Sequence, residues 1–133
     1  MIKVRVVKGP LQGRSRAFTN NVAPDGVTVD PVEFLVALGM RGSEWVIEMV
    51  NASLEEHAEW VRADMAARIV RSLLKGLPVM FADKTYRARN RNEVLKVAAR
   101  VQRAMIASSK LVSIAQDDGT GIHIQMHEPR TFH

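Results

Sequence analysis

A mixed α/β fold (α/β or α+β) with three helices and five strands, in the order β-α-β-α-β-α-β-β, is what this sequence predicts, and three observations carry it. Residues 53–75, SLEEHAEWVRADMAARIVRSLLK, repeat apolar side chains at helical spacing behind a Ser53/Glu56 capping box. Residues 2–7 and 44–50 alternate apolar and charged side chains, the period of half-buried strands. The tail places Asp118-Gly119, a favoured two-residue turn, between two apolar-patterned runs and so predicts a terminal hairpin. With 133 residues, 47% apolar and 25% charged, the chain is sized for a single domain, 1–133, with its own core. Strands joined by helical crossovers tend to lie parallel, so one mixed sheet covered by helices is expected.

The elements follow in chain order. Ile2, Val4 and Val6 alternate with Lys3 and Arg5 in a first strand. A long loop, 9–29, comes next, expected to be partly mobile or to hold Val27–Val29 as a short edge strand. Its Gly9-Pro10-Leu11-Gln12-Gly13-Arg14-Ser15 lacks the four-residue glycine spacing, the lysine and the following helix of a phosphate-binding loop. Asp30-Pro31-Val32-Glu33 starts a short helix that ends at Gly39 or Gly42. Residues 44–50 form a strand. The helix 53–75 is expected to be covered on two sides, by Leu54, Ala58, Val61, Met65, Ile69 and Leu73 on one and Trp60, Ala63, Ala67, Val70 and Leu74 on the other. His57, Asp64, Arg68, Arg71 and Lys75 make its polar stripe, and Gly76 and Pro78 stop it. Residues 77–89 read as one strand that begins buried and ends charged. Asn90 and Glu93 start a helix reaching Ser109, with Leu95 and Ile106 widening its apolar arc. In the final hairpin, Leu111, Ser113 and Ala115 are expected to share a face with Met126, Ile124 and Ile122, and residues 128–133 form a loose tail.

Charge is distributed unevenly. The net +5 divides into +3 over residues 1–30, −5 over 31–60, +9 over 61–110 and −2 over 111–133. A polyanion bound by the basic middle, or head-to-tail pairing of copies, both follow from such a dipolar chain. There is no cysteine, which excludes disulfides, thiol nucleophiles and cysteine-type zinc sites. The N-terminus, MIKVRVVKGP, has no uninterrupted apolar segment of the kind a signal peptide needs, and no run is long enough to span a bilayer. A cytoplasmic protein with no membrane association is therefore expected.

The most pointed candidate site is a basic arm running into a basic helix stripe: Lys84, Tyr86, Arg87, Arg89 and Arg91, then Lys96, Arg100 and Arg103. Guanidinium groups offer bidentate donors to phosphate and an aromatic beside them can stack on a base, so DNA or RNA is the expected partner. Solvation of a helix face explains the same residues without a ligand. His123 and His127 lie four apart, which on a strand separates them by about 13 Å and rules out a shared metal ion. His123 and Gln125 line the hairpin's polar face on this reading. Asp117 or Asp118 with His123 would make an acid–base pair, but the turn already accounts for the aspartates. No catalytic residue, metal or cofactor is assigned, and a non-enzyme is expected. A homo-oligomer is expected. The alternatives to nucleic-acid binding are an oligomeric assembly or inhibitor protein that binds another protein, and a small enzyme of unrecognised type.

Overall fold

The structure, a computed structural model, describes residues 1–128. The chain divides into two compact units, Met1–Arg71 and Ser72–His133. Three α-helices and seven strands are present among the described residues, and the predicted element order holds with two additions. The strands form two sheets rather than one.

In the first unit, β1 (Ile2–Lys8) pairs antiparallel with both β2 (Ser15–Phe18) and β3 (Glu44–Met49). Strand β2 is the first addition and lies inside the segment read as loop. Its side chains alternate too briefly to register in sequence, and it is held by a turn in which Val6 N–H donates to the Arg14 carbonyl at 2.9 Å. Beyond it, Thr28 bridges to Val22 and the Ala23 N–H donates to the Val27 carbonyl.

Helix α1 (Pro31–Met40) starts as its sequence dictates, with the Asp30 carboxylate accepting from the Glu33 N–H at 3.1 Å and proline in the first turn. Helix α2 (Leu54–Leu74) crosses the boundary between the units. The Ser53 hydroxyl accepts from the Glu56 N–H at 3.1 Å, which is half of the expected capping box. The other half is replaced: the buried Glu56 carboxylate accepts from the Asn20 N–H at 2.8 Å and lies 4.0 Å from the Met1 amino group.

The core of this unit gathers Ile2, Val4 and Val6 of β1 with Phe18, Leu35, Leu38, Trp45, Trp60, Ala63 and Ala67. Phe18 stacks on Trp60 with ring centroids 5.4 Å apart, and Phe34 meets both edge-on. The indole N–H groups are satisfied: Trp60 donates to Asn21 Oδ1 at 2.9 Å and Trp45 to Asp64 Oδ1 at 2.8 Å. Arg68 is 3.5 Å from the same Asp64, and the Arg71 guanidinium sits over the Trp45 ring. Both tryptophans are thus core residues. The expected two-sided burial of α2 fails over its first half, where Leu54, Ala58 and Val61 are exposed while Trp60, Ala63 and Ala67 are buried. Helical spacing groups the side chains of a face but does not say which face is covered.

The second unit contains the end of α2, stopped at Gly76 with φ +75°, where the Leu77 N–H donates to the Ser72 carbonyl. Its sheet has the order β5-β4-β7-β6, from β4 (Val79–Phe81), β5 (Lys84–Tyr86), β6 (Leu111–Asp117) and β7 (Ile122–His127). Strands β4 and β7 run parallel and the other neighbours antiparallel, so the expected mixed pairing is present here. The predicted strand 77–89 is instead a tight hairpin. Ala82 and Asp83 both take left-handed backbone, φ 50° and 61°, and reverse the chain. This second addition changes the faces: Val79 and Phe81 share a side with Tyr86 and Lys84, and Met80 with Thr85.

The terminal hairpin forms, but one residue out of the expected register. Asp117 pairs with Ile122, leaving a four-residue loop, and Leu111 pairs with His127. A one-residue slip exchanges the faces of a strand, so Val112 and Ile114, not Leu111 and Ser113, lie on the side of Ile124 and Met126. A bulge between Ile114 and Gln116 accommodates the difference. The physical reason lies in the loop. The Asp118 carboxylate accepts from the Thr120 N–H and hydroxyl and from Gln116 Nε2, and Gly121 presses its backbone on Pro78, where a Cβ would stand 2.6 Å from the carbonyl oxygen. Of the expected loose tail 128–133, residues from 129 on lie outside the described residues.

Candidate nucleic-acid interface

Unit 1 carries nine basic and nine acidic side chains and unit 2 ten and five, so the whole net charge of +5 resides in Ser72–His133. The eight residues singled out in the sequence all belong to that unit. Lys84, Arg87, Arg89, Arg91, Lys96, Arg100 and Arg103 are exposed, and Tyr86 is half-buried.

Their positions follow from local structure. Lys84 and Tyr86 sit on the edge strand β5, opposite Phe81 and Val79. The chain then passes Arg87 and Arg89 and enters a 3₁₀ turn, Arg91–Glu93, whose N-cap is Asn90, its side chain accepting from the Asn92 N–H at 2.9 Å. Glu93 accepts from the Arg89 N–H at 3.1 Å, so the acid among these cations holds backbone in place. The turn leads directly into α3 (Val94–Ser108).

Helix α3 buries Val94, Val97 and Val101 and turns Lys96, Arg100 and Arg103 to the opposite side, at spacings of four and three. Leu95 and Ile106, expected within its apolar arc, are exposed instead, at 53% and 71%. They lie about 100–120° from Val94 around the helix axis and outside the buried stripe.

The sheet of this unit has two unlike faces. Val79, Phe81, Ile122 and Ile124 point to the buried side. Alternation then directs Met80, Thr85, His123, Gln125 and His127 to the other, with Gln116, Ser113 and Leu111 as their cross-strand neighbours on β6. His123 and Gln125 stand on the polar face as expected. The slipped register adds a contact that the sequence concealed: Ser113 Oγ lies 2.6 Å from His127 Nε2, with Gln125 Nε2 3.4 Å from the same nitrogen. A serine next to an imidazole is the start of a nucleophile–base pair. Glu128, the carboxylate adjoining His127 in sequence, is committed to Lys110.

Asp118, proposed with His123 for acid–base work, is held below the usual carboxylate range by the Thr120 hydroxyl first, then the Thr120 amide and Gln116, all of which favour its ionised form. That environment suits a loop anchor rather than a proton donor at neutral pH. Among the described residues, no three His, Asp or Glu side chains are grouped to hold a metal ion, and no helix is long and apolar enough to cross a membrane. No protein-family model, curated protein or solved structure matches the chain.

Proposed function

We propose that this is a cytoplasmic protein that binds nucleic acid without catalysis, through the basic segment 84–103. The observation that carries the reading is the confinement of all net charge to the second unit, with seven cations exposed along one arm and one helix face. Arg87, Arg89 and Arg91 would hold phosphates, Lys96, Arg100 and Arg103 would extend the track, and Lys84 would stand at its start. Tyr86 would cover a base at the sheet edge with the exposed part of its ring.

Fluorescence anisotropy with labelled random single- and double-stranded DNA and RNA over a salt series tests this. Seven phosphate contacts predict a log–log salt slope of up to about −5 for a single strand. Replacing Arg87, Arg89 and Arg91 with alanine is expected to reduce it toward about −3 and weaken binding to all sequences, without unfolding. Unchanged affinity in that variant would remove the arm from the reading.

A second reading, assembly with copies of itself or with another protein, is favoured by the exposed Leu54 and Val61 of α2 and Leu95 and Ile106 of α3. It predicts a mass above one chain by light scattering, lost when Ile106 is replaced by Glu.

A further inference from the structure

We infer that the open face of the second sheet is a platform for the bases of a single strand, an inference that rests on the nucleic-acid reading above. The residues directed outward from the four strands are Thr85, Met80, His123 and Gln116 in one row across the sheet, then Gln125 with Ser113, then His127 with Leu111. No charged side chain stands among these eight positions, in a unit whose net charge is +5. Imidazole rings and a thioether present flat or polarizable surface to a base, while the Thr85 hydroxyl and the Gln116 and Gln125 amide oxygens match groups on base edges, the amide nitrogens and the Ser113 hydroxyl being engaged with Asp118 and His127.

The cations lie outside this face: Lys84 is on β5 on the side of Phe81, and the other six are on the arm that leaves β5 at Tyr86 and on α3. A hydrogen-bonding face without Lys, Arg, Asp or Glu, in the same unit as an exposed run of arginines, divides labour as a single-strand site does, with charge gripping the backbone and rings taking the bases. A duplex keeps its bases stacked and offers the same face only phosphates and sugars. The His127 ring is tethered on this face, its Nε2 lying 2.6 Å from the Ser113 hydroxyl and 3.4 Å from the Gln125 amide nitrogen, which lowers the cost of ordering it when a base arrives. His123, between Met80 on β4 and Gln116 on β6, is the central ring of the platform.

The two parts of the site differ in how salt acts on them, which makes them separable. Stacking is not ionic, so removing rings lowers affinity at every salt concentration and leaves the slope alone, whereas removing arginines flattens the slope. The test is anisotropy with a labelled oligonucleotide single strand and with the same sequence as a duplex. It uses the full chain, a His123→Ala/His127→Ala double variant and a His123→Phe variant. Both histidines are exposed, so the changes leave the core intact, and circular dichroism verifies it.

The single strand is expected to bind at least tenfold tighter than the duplex. The double variant is expected to lose about 10- to 100-fold in single-strand affinity at unchanged slope, and the phenylalanine variant to retain it. Equal or tighter duplex binding, or a double variant within about twofold of the parent, would overturn the platform while the arginine arm still stands. Absence of salt-dependent binding by the parent chain would overturn both.

Discussion

Replacing Gly39 with alanine should force two helices apart. Gly39 lies in α1 where it crosses α2, and a methyl group placed on it would stand 2.8 Å from the Ala67 carbonyl oxygen. Carbon–oxygen contacts settle at about 3.3 Å or more, so the crossing must open by about half an ångström. Leu35, Leu38, Trp60 and Ala63 surround that crossing and are all buried, leaving little room for the shift. Overpacking of this kind costs about 1–3 kcal/mol, while alanine returns up to about 1 kcal/mol of helix propensity. A net destabilisation of about 1–2 kcal/mol is expected in urea unfolding followed by tryptophan fluorescence. Gly42→Ala separates the two causes. Gly42 has φ +73° and no atom within 4 Å of the added carbon, so its cost is that of backbone alone, about 1 kcal/mol. Ala67→Gly in the Gly39→Ala background should give no rescue, because the obstacle is a carbonyl and not a side chain. A Gly39→Ala protein as stable as the parent, or more stable, would refute the close-approach argument.

Two further perturbations test local geometry. Ala82→Gly removes the left-handed strain of about 1–2 kcal/mol at φ 50° and gives back about half of that in chain entropy; a gain of about 0.5–1 kcal/mol is expected in urea, and a loss would refute the turn. Thr120→Val should raise the Asp118 pKa toward its ordinary value of 3.8, read by carboxyl NMR titration. Because the folded pKa is depressed, what Asp118 contributes to stability is present above pH 3.8 and is lost as pH falls through the lower folded value. An unaltered titration would refute the hydroxyl as the main cause.

What the sequence made legible was local. Ser53, Asp30 and Gly76 mark helix ends within four residues of the groups they satisfy, and each stands where expected, whereas Asn90 caps a 3₁₀ turn and α3 starts after it at Val94 with no side-chain cap. The arm and helix stripe were legible because charge keeps side chains at the surface. The hairpin at Ala82-Asp83 was not, since alanine at the first left-handed position carries no turn signal and Asp83 has no glycine beside it to complete the usual pair. The register of β6 against β7 depends on Gly121 lying against Pro78, forty-three positions earlier in the chain, so no nearby residue announces it. With the register hidden, the neighbours of His123 and His127 on β6 were hidden too, and half of the candidate platform with them.

The placement of the aromatic residues has a practical consequence. Both tryptophans, Trp45 and Trp60, belong to Met1–Arg71, whereas the chain's single tyrosine, Tyr86, belongs to Ser72–His133. The protein is therefore labelled by nature with a different chromophore in each unit. Emission excited at the red edge of indole absorption follows the first unit alone, and far-UV circular dichroism follows the backbone of both. Melting curves recorded in the two channels on one unmodified sample would reveal whether the chain comes apart in one event or two.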